Sequence, residues 1–481
     1  MGLCPTARRK HKKIQKGVCH ANSPLRGVER HFTDFYHRFS NHFKTRTRNL
    51  SQRAEQYFKG LAQSRKRNME RMAEVVPHSD DQSLQHFLTN SPWDEGPVID
   101  QVAHDADRLI GGKPDSCLLI DETSHPKKGT KSVGVARQWC GERGKVENCQ
   151  VSVFAVLACK EHHVPIDYRL FLPKSWINNE QRCIDASIPE EAIKFHRKHD
   201  LALQMILSAR ERGVQFNWIG CDSLYGEDPS FLRALDQRQE VFMADVHKDQ
   251  HIYLEDPDPV VPVGKSKKGR KPTRLKAQTE PIRVDQWVQQ QPAKAWKRRS
   301  IRNTTKGVLR VDILHQRVWL WDGKEDKAKH WHLVVRREIN GSKTKYSLCN
   351  APANTSIKRL GYMQAQRYWV ERSFQDSKSN CGMSDYQARK WRSWHHHMAL
   401  VMMAMLFMLE ERLQYKDSHP LLSCSDIISL LCHFLPKRTI DSDEVFHQLD
   451  IRHRKREASI ESAYRIQQRN RRKTYQNNVT K

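Results

Sequence analysis

Two aspartates each follow a short apolar segment of the chain. Asp121 comes directly after the apolar residues 117–120, and Asp222 comes directly after residues 216–221. Such segments predict buried strands, and a carboxylate at the end of a buried strand is held rigidly at the carboxyl edge of a sheet. Mg²⁺ prefers oxygen ligands and takes one or two carboxylates together with substrate phosphates. On neighbouring strands the two aspartates could share one cation, although either aspartate alone is better explained as a turn-forming residue.

A third acid, Glu371, lies in a segment with helical spacing. On a helix, Arg367, Glu371, Phe374 and Lys378 fall at positions i, i+4, i+7 and i+11, which form one continuous stripe. The stripe places an acid between two cations, and a metal-dependent phosphodiester site needs such a ligand beside phosphate-binding side chains. The alternative is a surface helix with an Arg–Glu pair worth about 0.2–0.5 kcal/mol, which the spacing alone does not exclude.

Positive charge is concentrated in three segments. The 481 residues carry a net charge of +28, and residues 1–70, 261–310 and 451–481 have net charges of +13, +13 and +8. The rest of the chain is slightly acidic, so a nearly neutral body bears three cationic segments. This distribution predicts a polyanionic partner, with nucleic acid as the first candidate, because each neutralised phosphate releases counterions. A solubility or localisation role is the alternative.

The elements that must position these residues change in type along the chain. Residues 1–112 combine helix-like apolar spacing with basic residues and predict a basic helical DNA-binding region. In residues 113–247, strand-like runs such as 151–159 alternate with helical stretches such as 189–211. This alternation predicts the first part of an α/β core.

The second half of the chain predicts an interruption of that core. Residues 248–352 are rich in strand-like runs and basic residues, and Asn340 and Gly341 between two such runs predict a hairpin. We therefore interpret this segment as a β-rich basic insertion. Helical periodicity in residues 353–415 predicts the second part of the core, which carries Glu371. Residues 416–481 predict a basic helical C-terminal tail.

Other features of the sequence argue against several classes of protein. The longest apolar run, residues 398–409, is shorter than the roughly 18 residues that cross a bilayer. No apolar region follows the basic start of the chain, so we expect no secretion, and the 12 cysteines without a CxxC pair predict reduced thiols. Gly264, Lys265 and Ser266 resemble part of a phosphate loop, but Pro259 replaces its first glycine, so we expect no ATP site.

The three acids together resemble those of a known enzyme family. The order Asp121, Asp222, Glu371 is similar to the catalytic triad of the DDE transposases of bacterial insertion sequences. Arg367, Glu371 and Lys378 also match the Tyr-x2-Arg-x3-Glu-x6-Lys signature of the cut-and-paste branch. Two further segments resemble one subgroup of these enzymes, namely residues 119–129 and 391–401.

The resemblance covers roughly residues 30–415 and departs from the signature at one position. Gln364 stands where the signature has tyrosine, and Tyr362 and Tyr368 lie nearby.

The resemblance implies a fold and an activity. The fold would be a ribonuclease H-like mixed-sheet core with Asp121 on the first strand, Asp222 after the fourth strand and Glu371 on a late helix. The three acids would bind Mg²⁺ or Mn²⁺, as two ions, and catalyse nicking of transposon ends followed by joining of the 3′-hydroxyl to target DNA. Arg367 and Lys378 would contact DNA phosphates. The partners would be double-stranded DNA and a second copy of the chain in a synaptic complex, in the cytoplasm at the bacterial nucleoid.

The basic insertion offers a further candidate DNA contact. Lys268, Arg270 and Lys271 precede a proline in a segment that resembles a minor-groove hook, and a solvated loop is the alternative. Two rival functions also remain open from the sequence. One is a non-catalytic DNA-binding protein derived from a transposase, and the other is a ribonuclease H-like nuclease that cuts without joining.

Overall fold

A computed structural model describes residues 24–262, 272–304, 307–339 and 343–479. The α-helices of these residues are, in chain order, α1 (Val28–Phe39), α2 (Ser51–Gln63), α3 (Met69–Val75), α4 (Asp81–Thr89), α5 (Gly96–Ile110), α6 (Lys174–Ile177), α7 (Glu180–Asp185), α8 (Lys198–Glu211), α9 (Ser223–Gly226), α10 (Pro229–Gln237), α11 (Val284–Gln289), α12 (Ile357–Gln366), α13 (Tyr368–Cys381), α14 (Trp391–Gln414), α15 (Cys424–Phe434) and α16 (Ser442–Val479). The strands are β1 (Ser116–Pro126), β2 (Ala136–Cys140), β3 (Lys145–Cys159), β4 (His162–Leu170), β5 (Trp218–Cys221), β6 (Phe242–Val246), β7 (His251–Ile252), β8 (Ile282–Arg283), β9 (Lys297–Thr304), β10 (Gly307–Leu320), β11 (Lys329–Glu338) and β12 (Thr344–Cys349).

Ten of these strands form one mixed sheet. Its order is β2-β3-β1-β5-β6-β12-β11-β10-β9, and β4 pairs with β3 beside β2. Strands β1, β3 and β4 are antiparallel, whereas β5 and β6 run parallel to β1. The predicted ribonuclease H-like α/β fold is confirmed. Asp222 follows the fifth strand rather than the fourth, because the short strand β2 precedes β3 in the chain.

Four strands of residues 248–352, β9 to β12, extend the sheet of the core, whereas β7 and β8 pair in a separate two-stranded sheet. β12 pairs with β6, and β11, β10 and β9 continue outward from it in antiparallel order. The predicted pairing of β11 with β12 is present, while the hairpin residues Asn340 and Gly341 lie outside the described residues. The helix predicted for residues 189–211 begins only at Lys198, because a short 3-10 turn and an extended segment follow Pro189.

The N-terminal helices share a hydrophobic core with helix α14 near the other end of the chain. The ring of Phe32 in α1 stacks on Phe58 in α2 and meets the edge of Phe407 in α14. The apolar residues 398–409 lie within α14 and are almost entirely buried. Across the described residues, no helix has an apolar stretch long enough to cross a membrane. The cysteines among the described residues are free thiols, as predicted.

Candidate active site

Parallel pairing brings Asp121 and Asp222 side by side. Ile120 of β1 is in register with Cys221, the last residue of β5, and one of the two aspartates directly follows each of these residues. Asp222 also caps α9, where its carboxylate accepts a hydrogen bond from the backbone N–H of Leu224 at 3.0 Å. The cap fixes the rotamer of Asp222 at the carboxyl end of the sheet.

Burial makes this pair of carboxylates difficult to ionise together. The pKa of Asp121 is raised to about 8, first by burial and then by the charge of Asp222. Burial also raises the pKa of Asp222, against the attraction of Arg367. Two close carboxylates in a low-dielectric site favour a bound cation, because the cation offsets both charges. The oxygen donors and their uncompensated charge therefore fit a divalent cation such as Mg²⁺.

A third aspartate extends the row on the next strand. Ala244 of β6 is in register with Cys221, which places Asp245 beside Asp222 at the same edge. Sequence reasoning missed Asp245, although the signal was the same as for the other two aspartates, an acid directly after an apolar strand-like run. The carboxylate of Asp245 accepts a hydrogen bond from the hydroxyl of Ser347 at 2.5 Å.

The guanidinium of Arg367 connects three of the acids. Its Nη1 donates to Oδ2 of Asp121 at 3.1 Å, and its Nη2 donates to Oε1 of Glu371 at 2.8 Å. Its Nε forms an ion pair with Oδ2 of Asp245 at 3.1 Å. Burial alone would lower the pKa of Arg367, but the charges of Asp245, Asp121 and Glu371 raise it above its ordinary value. Arg367 is therefore more than an i,i+4 partner of Glu371, because it holds the helix acid to the strand acids.

Glu371 reaches the site from the first turn of α13. Its side chain is 55% exposed, and the Arg367 guanidinium lies between it and Asp121. In the part of the chain that the structure describes, no three His, Cys, Asp or Glu side chains converge closely enough to hold a metal ion. The structure thus brings Asp121 and Asp222 together and places Glu371 near them, with the guanidinium of Arg367 in between.

Lys378 lies in the last turn of α13, the helix that carries Glu371. Its ammonium donates to the backbone oxygen of Ser124 at 2.9 Å and to Glu142 at 2.7 Å. Lys378, Asp121 and Asp222 line an open cleft of about 480 Å³. The predicted contacts Lys268, Arg270 and Lys271 lie outside the described residues.

The residues around the missing signature tyrosine have separate environments. Gln364 is buried and donates to the hydroxyl of Ser347 at 2.8 Å, which in turn donates to Asp245. Tyr362 packs against Trp218 at the start of β5, which is the end of the strand away from Asp222. Tyr368 is 44% exposed at the start of α13, with the guanidinium of Arg302 4.3 Å from its ring centroid. Of the two nearby tyrosines, Tyr368 is the one beside Glu371.

Comparison with known proteins identifies the class of this enzyme. The sequence matches the family model described as "DDE superfamily endonuclease" over residues 38–308, more than half of the chain. The protein belongs to this family, which confirms the predicted family and makes the protein an enzyme that acts on DNA. The match includes Asp121 and Asp222 and ends before Glu371.

A curated relative is similar over a longer stretch. The chain is 22% identical over 328 residues to a probable transposase for insertion sequence element IS701 from Microchaete diplosiphon. The aligned part covers 68% of this chain and 74% of the relative.

Proposed function

We propose that the protein is a transposase that nicks the ends of a mobile element and joins the freed 3′-hydroxyl to target DNA. One observation carries the proposal: the guanidinium of Arg367 binds both Asp121 and Glu371. It thereby joins the acid on the helix to the pair of aspartates, Asp121 and Asp222, at the edge of the sheet. A family of DNA endonucleases and a relative named as a probable transposase support the same conclusion.

Asp121, Asp222 and Glu371 would hold Mg²⁺ or Mn²⁺, as two ions. When bound, such ions stabilise charge on the attacking and leaving oxygens of a phosphodiester. The chain itself supplies the rigid part of the site, since Asp222 is fixed by its cap on α9 and Asp121 by strand β1. Glu371 requires a shift of Arg367 to join them, because the guanidinium lies between the two carboxylates.

Lys378 would bind DNA phosphates on one side of the cut and Arg367 on the other. Both belong to the signature, and Lys378 lines the cleft with the aspartates. At a rise of 1.5 Å per residue the two positions are about 16 Å apart, enough to contact several phosphates. Lys268, Arg270 and Lys271 would add contacts from the basic insertion.

Double-stranded DNA is the proposed substrate, both as transposon end and as target, and we propose a dimer of this chain in the synaptic complex. Residues 1–112 would recognise the ends. Residues 113–247 and 353–415 would form the catalytic core, residues 248–352 an insertion and residues 416–481 a basic tail. The joining step would require no nucleotide hydrolysis, because the freed 3′-hydroxyl forms one phosphodiester bond as a phosphodiester of the target breaks and releases its own 3′-hydroxyl.

The test is cleavage and joining of DNA that flanks the coding sequence, carried on a plasmid, in Mg²⁺ or Mn²⁺. Asp222→Asn removes a ligand while asparagine still caps α9, so end binding should persist and nicking should fall at least about 100-fold. Asp228→Asn is the matched control, because Asp228 caps the neighbouring helix α10. Nicking without joining by the wild type would indicate a nuclease instead, and nicking by Asp222→Asn at the normal rate would refute the site.

A further inference from the structure

Two cations stand directly opposite each other on neighbouring strands of the sheet. Arg336 of β11 is in register with Lys345 of β12. Side chains of such a cross-strand pair lie on one face, with Cβ atoms about 4.5–5.5 Å apart. The face is that of Asp245 and Ser347, because Ser347 is two residues along β12 from Lys345 and is in register with Asp245.

Neither side chain has a direct partner. Arg336 is 8% exposed and Lys345 is half-buried, and within the described residues their side chains make no hydrogen bond or ion pair. The acid whose charge acts most strongly on both is Asp245, whose carboxylate already binds Arg367 and Ser347. One carboxylate thus faces three cations.

Additional positive charge surrounds this pair. Arg302 of β9 lies close enough to Arg336 to affect its ionisation, and Arg302 Nε is buried without a hydrogen-bond partner in the described part of the chain. Its guanidinium covers the rings of Tyr368 and Trp369 at 4.3 and 4.9 Å. Glu338 and Glu371 contribute negative charge at longer range.

The position of the pair relative to the catalytic helix is defined by α12. Gln364, near the end of α12, packs on the sheet face of Ser347 and Asp245 and donates a hydrogen bond to the Ser347 hydroxyl at 2.8 Å. Arg367 follows where α12 ends, and its charge acts on both Arg336 and Lys345. The pair therefore lies next to the junction of α12 and α13, beside Glu371.

Such an arrangement destabilises the protein on its own. Like charges opposite each other on two strands repel, and a largely buried cation without a partner loses part of its hydration. Burial lowers the pKa of both Arg336 and Lys345, which means that the folded protein disfavours their charged forms. An anion placed between the two side chains would remove this cost.

We propose that Arg336 and Lys345 form a binding site for a backbone phosphate of the DNA strand that passes Glu371. The inference rests on the proposed function, since it names a contact for the DNA substrate of that site. Lys345 and the exposed ring of Tyr368 lie at the solvent-accessible edge of the group. A phosphate there would be held by two cations from the insertion strands, in addition to the contacts made by the catalytic helix.

The test uses the full chain with Arg336→Gln and Lys345→Gln, and Arg337→Gln as the matched control. Arg337 is adjacent on β11 but faces the opposite side, where it pairs with Asp312 at 3.5 Å and covers the ring of Trp296. Two quantities are measured, the melting temperature of the DNA-free protein and the affinity for end DNA by anisotropy at several salt concentrations.

We expect the two site variants to melt at least about 1 °C higher than the wild type and to bind DNA at least about fivefold more weakly. Their slope of log affinity against log salt should fall by about one for the lost phosphate contact. Arg337→Gln should melt at or below the wild-type temperature and keep the salt slope.

Unchanged affinity and slope in both site variants would overturn the inference, and so would melting temperatures that fall in parallel with affinity, which indicate a structural role. Failure of the proposed function is a separate result. In that case the wild type does not cut, or Asp222→Asn cuts normally, whatever the site variants bind.

Discussion

At the scale of single residues, the buried aspartates make folding stability depend on pH. The pKa of Asp121 is raised to about 8, whereas an unfolded aspartate titrates near 3.9. Between about pH 4 and 8 the folded chain binds the extra proton, so the free energy of unfolding contributed by this group falls as pH rises. Asp222→Asn removes the neighbouring charge, so we expect this variant to melt roughly 2 °C higher than the wild type at pH 8 with chelator present.

The same comparison at pH 4 provides the control, because Asp121 is then protonated in the folded protein and no longer repels Asp222, so the two proteins should melt alike. Asp228→Asn should not raise the melting temperature at pH 8, because the pKa of Asp228 is lowered. Burial raises this pKa, but backbone hydrogen bonds from Phe231 and Ser230 and the charges of His199 and Arg197 outweigh burial. A melting temperature of Asp222→Asn that is lower than wild type at pH 8 would contradict the charge repulsion.

Asp245 should act through Arg367. It binds Nε of the guanidinium while Asp121 and Glu371 bind the other two nitrogens. Asp245→Asn should therefore reduce cleavage about 10–100-fold, the usual effect of losing a residue that orients active-site groups, and leave end binding intact. In the Arg367→Gln background the same change should have little further effect, because the residues form one unit.

Titration of Mn²⁺ by calorimetry distinguishes this role from direct ligation. A positioning residue leaves Mn²⁺ affinity near the wild-type value, whereas loss of Mn²⁺ binding by Asp245→Asn would make it a ligand. Asp312→Asn is a suitable control, since Asp312 is also largely buried and bound by Arg298 at 2.9 Å, on β10 of the insertion.

The sequence predicted that Asp121 and Asp222 stand at the ends of neighbouring buried strands, because an apolar run followed by an acid is a local pattern. It could not predict that Arg367 lies between Asp121 and Glu371, because that contact joins residues 246 positions apart. The ion pairs of Arg367 with the three acids could therefore be identified only from the structure. Buried Gln364 illustrates the same limit, since its link to Asp245 through Ser347 crosses three elements.

At the scale of elements, a close contact between α9 and β6 fixes the spacing of two acids. A Cβ atom on Gly226 would lie 1.9 Å from the backbone oxygen of Asp245. Asp222 caps the other end of this four-residue helix, so its separation from Asp245 depends on the absence of a side chain at Gly226. Gly226→Ala should destabilise the protein by about 1–3 kcal/mol and reduce cleavage further than the lost stability explains.

Denaturant unfolding and single-turnover cleavage at a temperature where the variant is folded measure the two effects. Gly27→Ala is the control, because its added Cβ would meet only side-chain atoms of His31 at 3.4 Å or more. Normal cleavage by folded Gly226→Ala would show that the site tolerates a shift of α9.

Local periodicity predicted most of these elements but not how the insertion joins the core. Strand-like runs after residue 248 predict β10, β11 and β12, yet the attachment of these strands to the sheet edge at β6 depends on the pairing of Asp245 with Ser347. Such a register between segments about one hundred residues apart leaves no local trace in the sequence. The same pairing places Arg336 and Lys345 close enough to Arg367, at the start of α13, for its charge to act on both.

At the scale of the whole molecule, the N-terminal helices are part of the body that holds the site. Phe32 and Phe35 of α1 pack against Phe407 in α14. Tyr57 in α2 is hydrogen-bonded to His397 at 2.8 Å. A fragment of residues 1–112 would expose these surfaces, so end recognition by this region is better tested in the full chain.

The basic C-terminal helix provides a whole-molecule test of DNA binding by charge. Lys455 in α16 binds Asp81 and Glu70, but from Arg456 to Arg472 every side chain is exposed, over about 24 Å of helix. Truncation after Lys455 should leave the melting temperature unchanged, because the side chains described in the removed segment, residues 456–472, are all exposed. DNA affinity should fall, and the slope of log affinity against log salt should decrease by about 0.9 for each phosphate contact removed.

Adding positive charge to α16, instead of removing it by truncation, separates the effect of charge from the effect of helix length. Glu457→Gln with Glu461→Gln raises the net charge of α16 by two and keeps its length, so DNA affinity should increase and its salt dependence should remain at least as steep. If truncation leaves the salt slope at the wild-type value, the phosphate contacts come from residues 1–70, the insertion and the catalytic helix. In that case the exposed basic helix has no part in holding DNA, even though its charge alone predicts one.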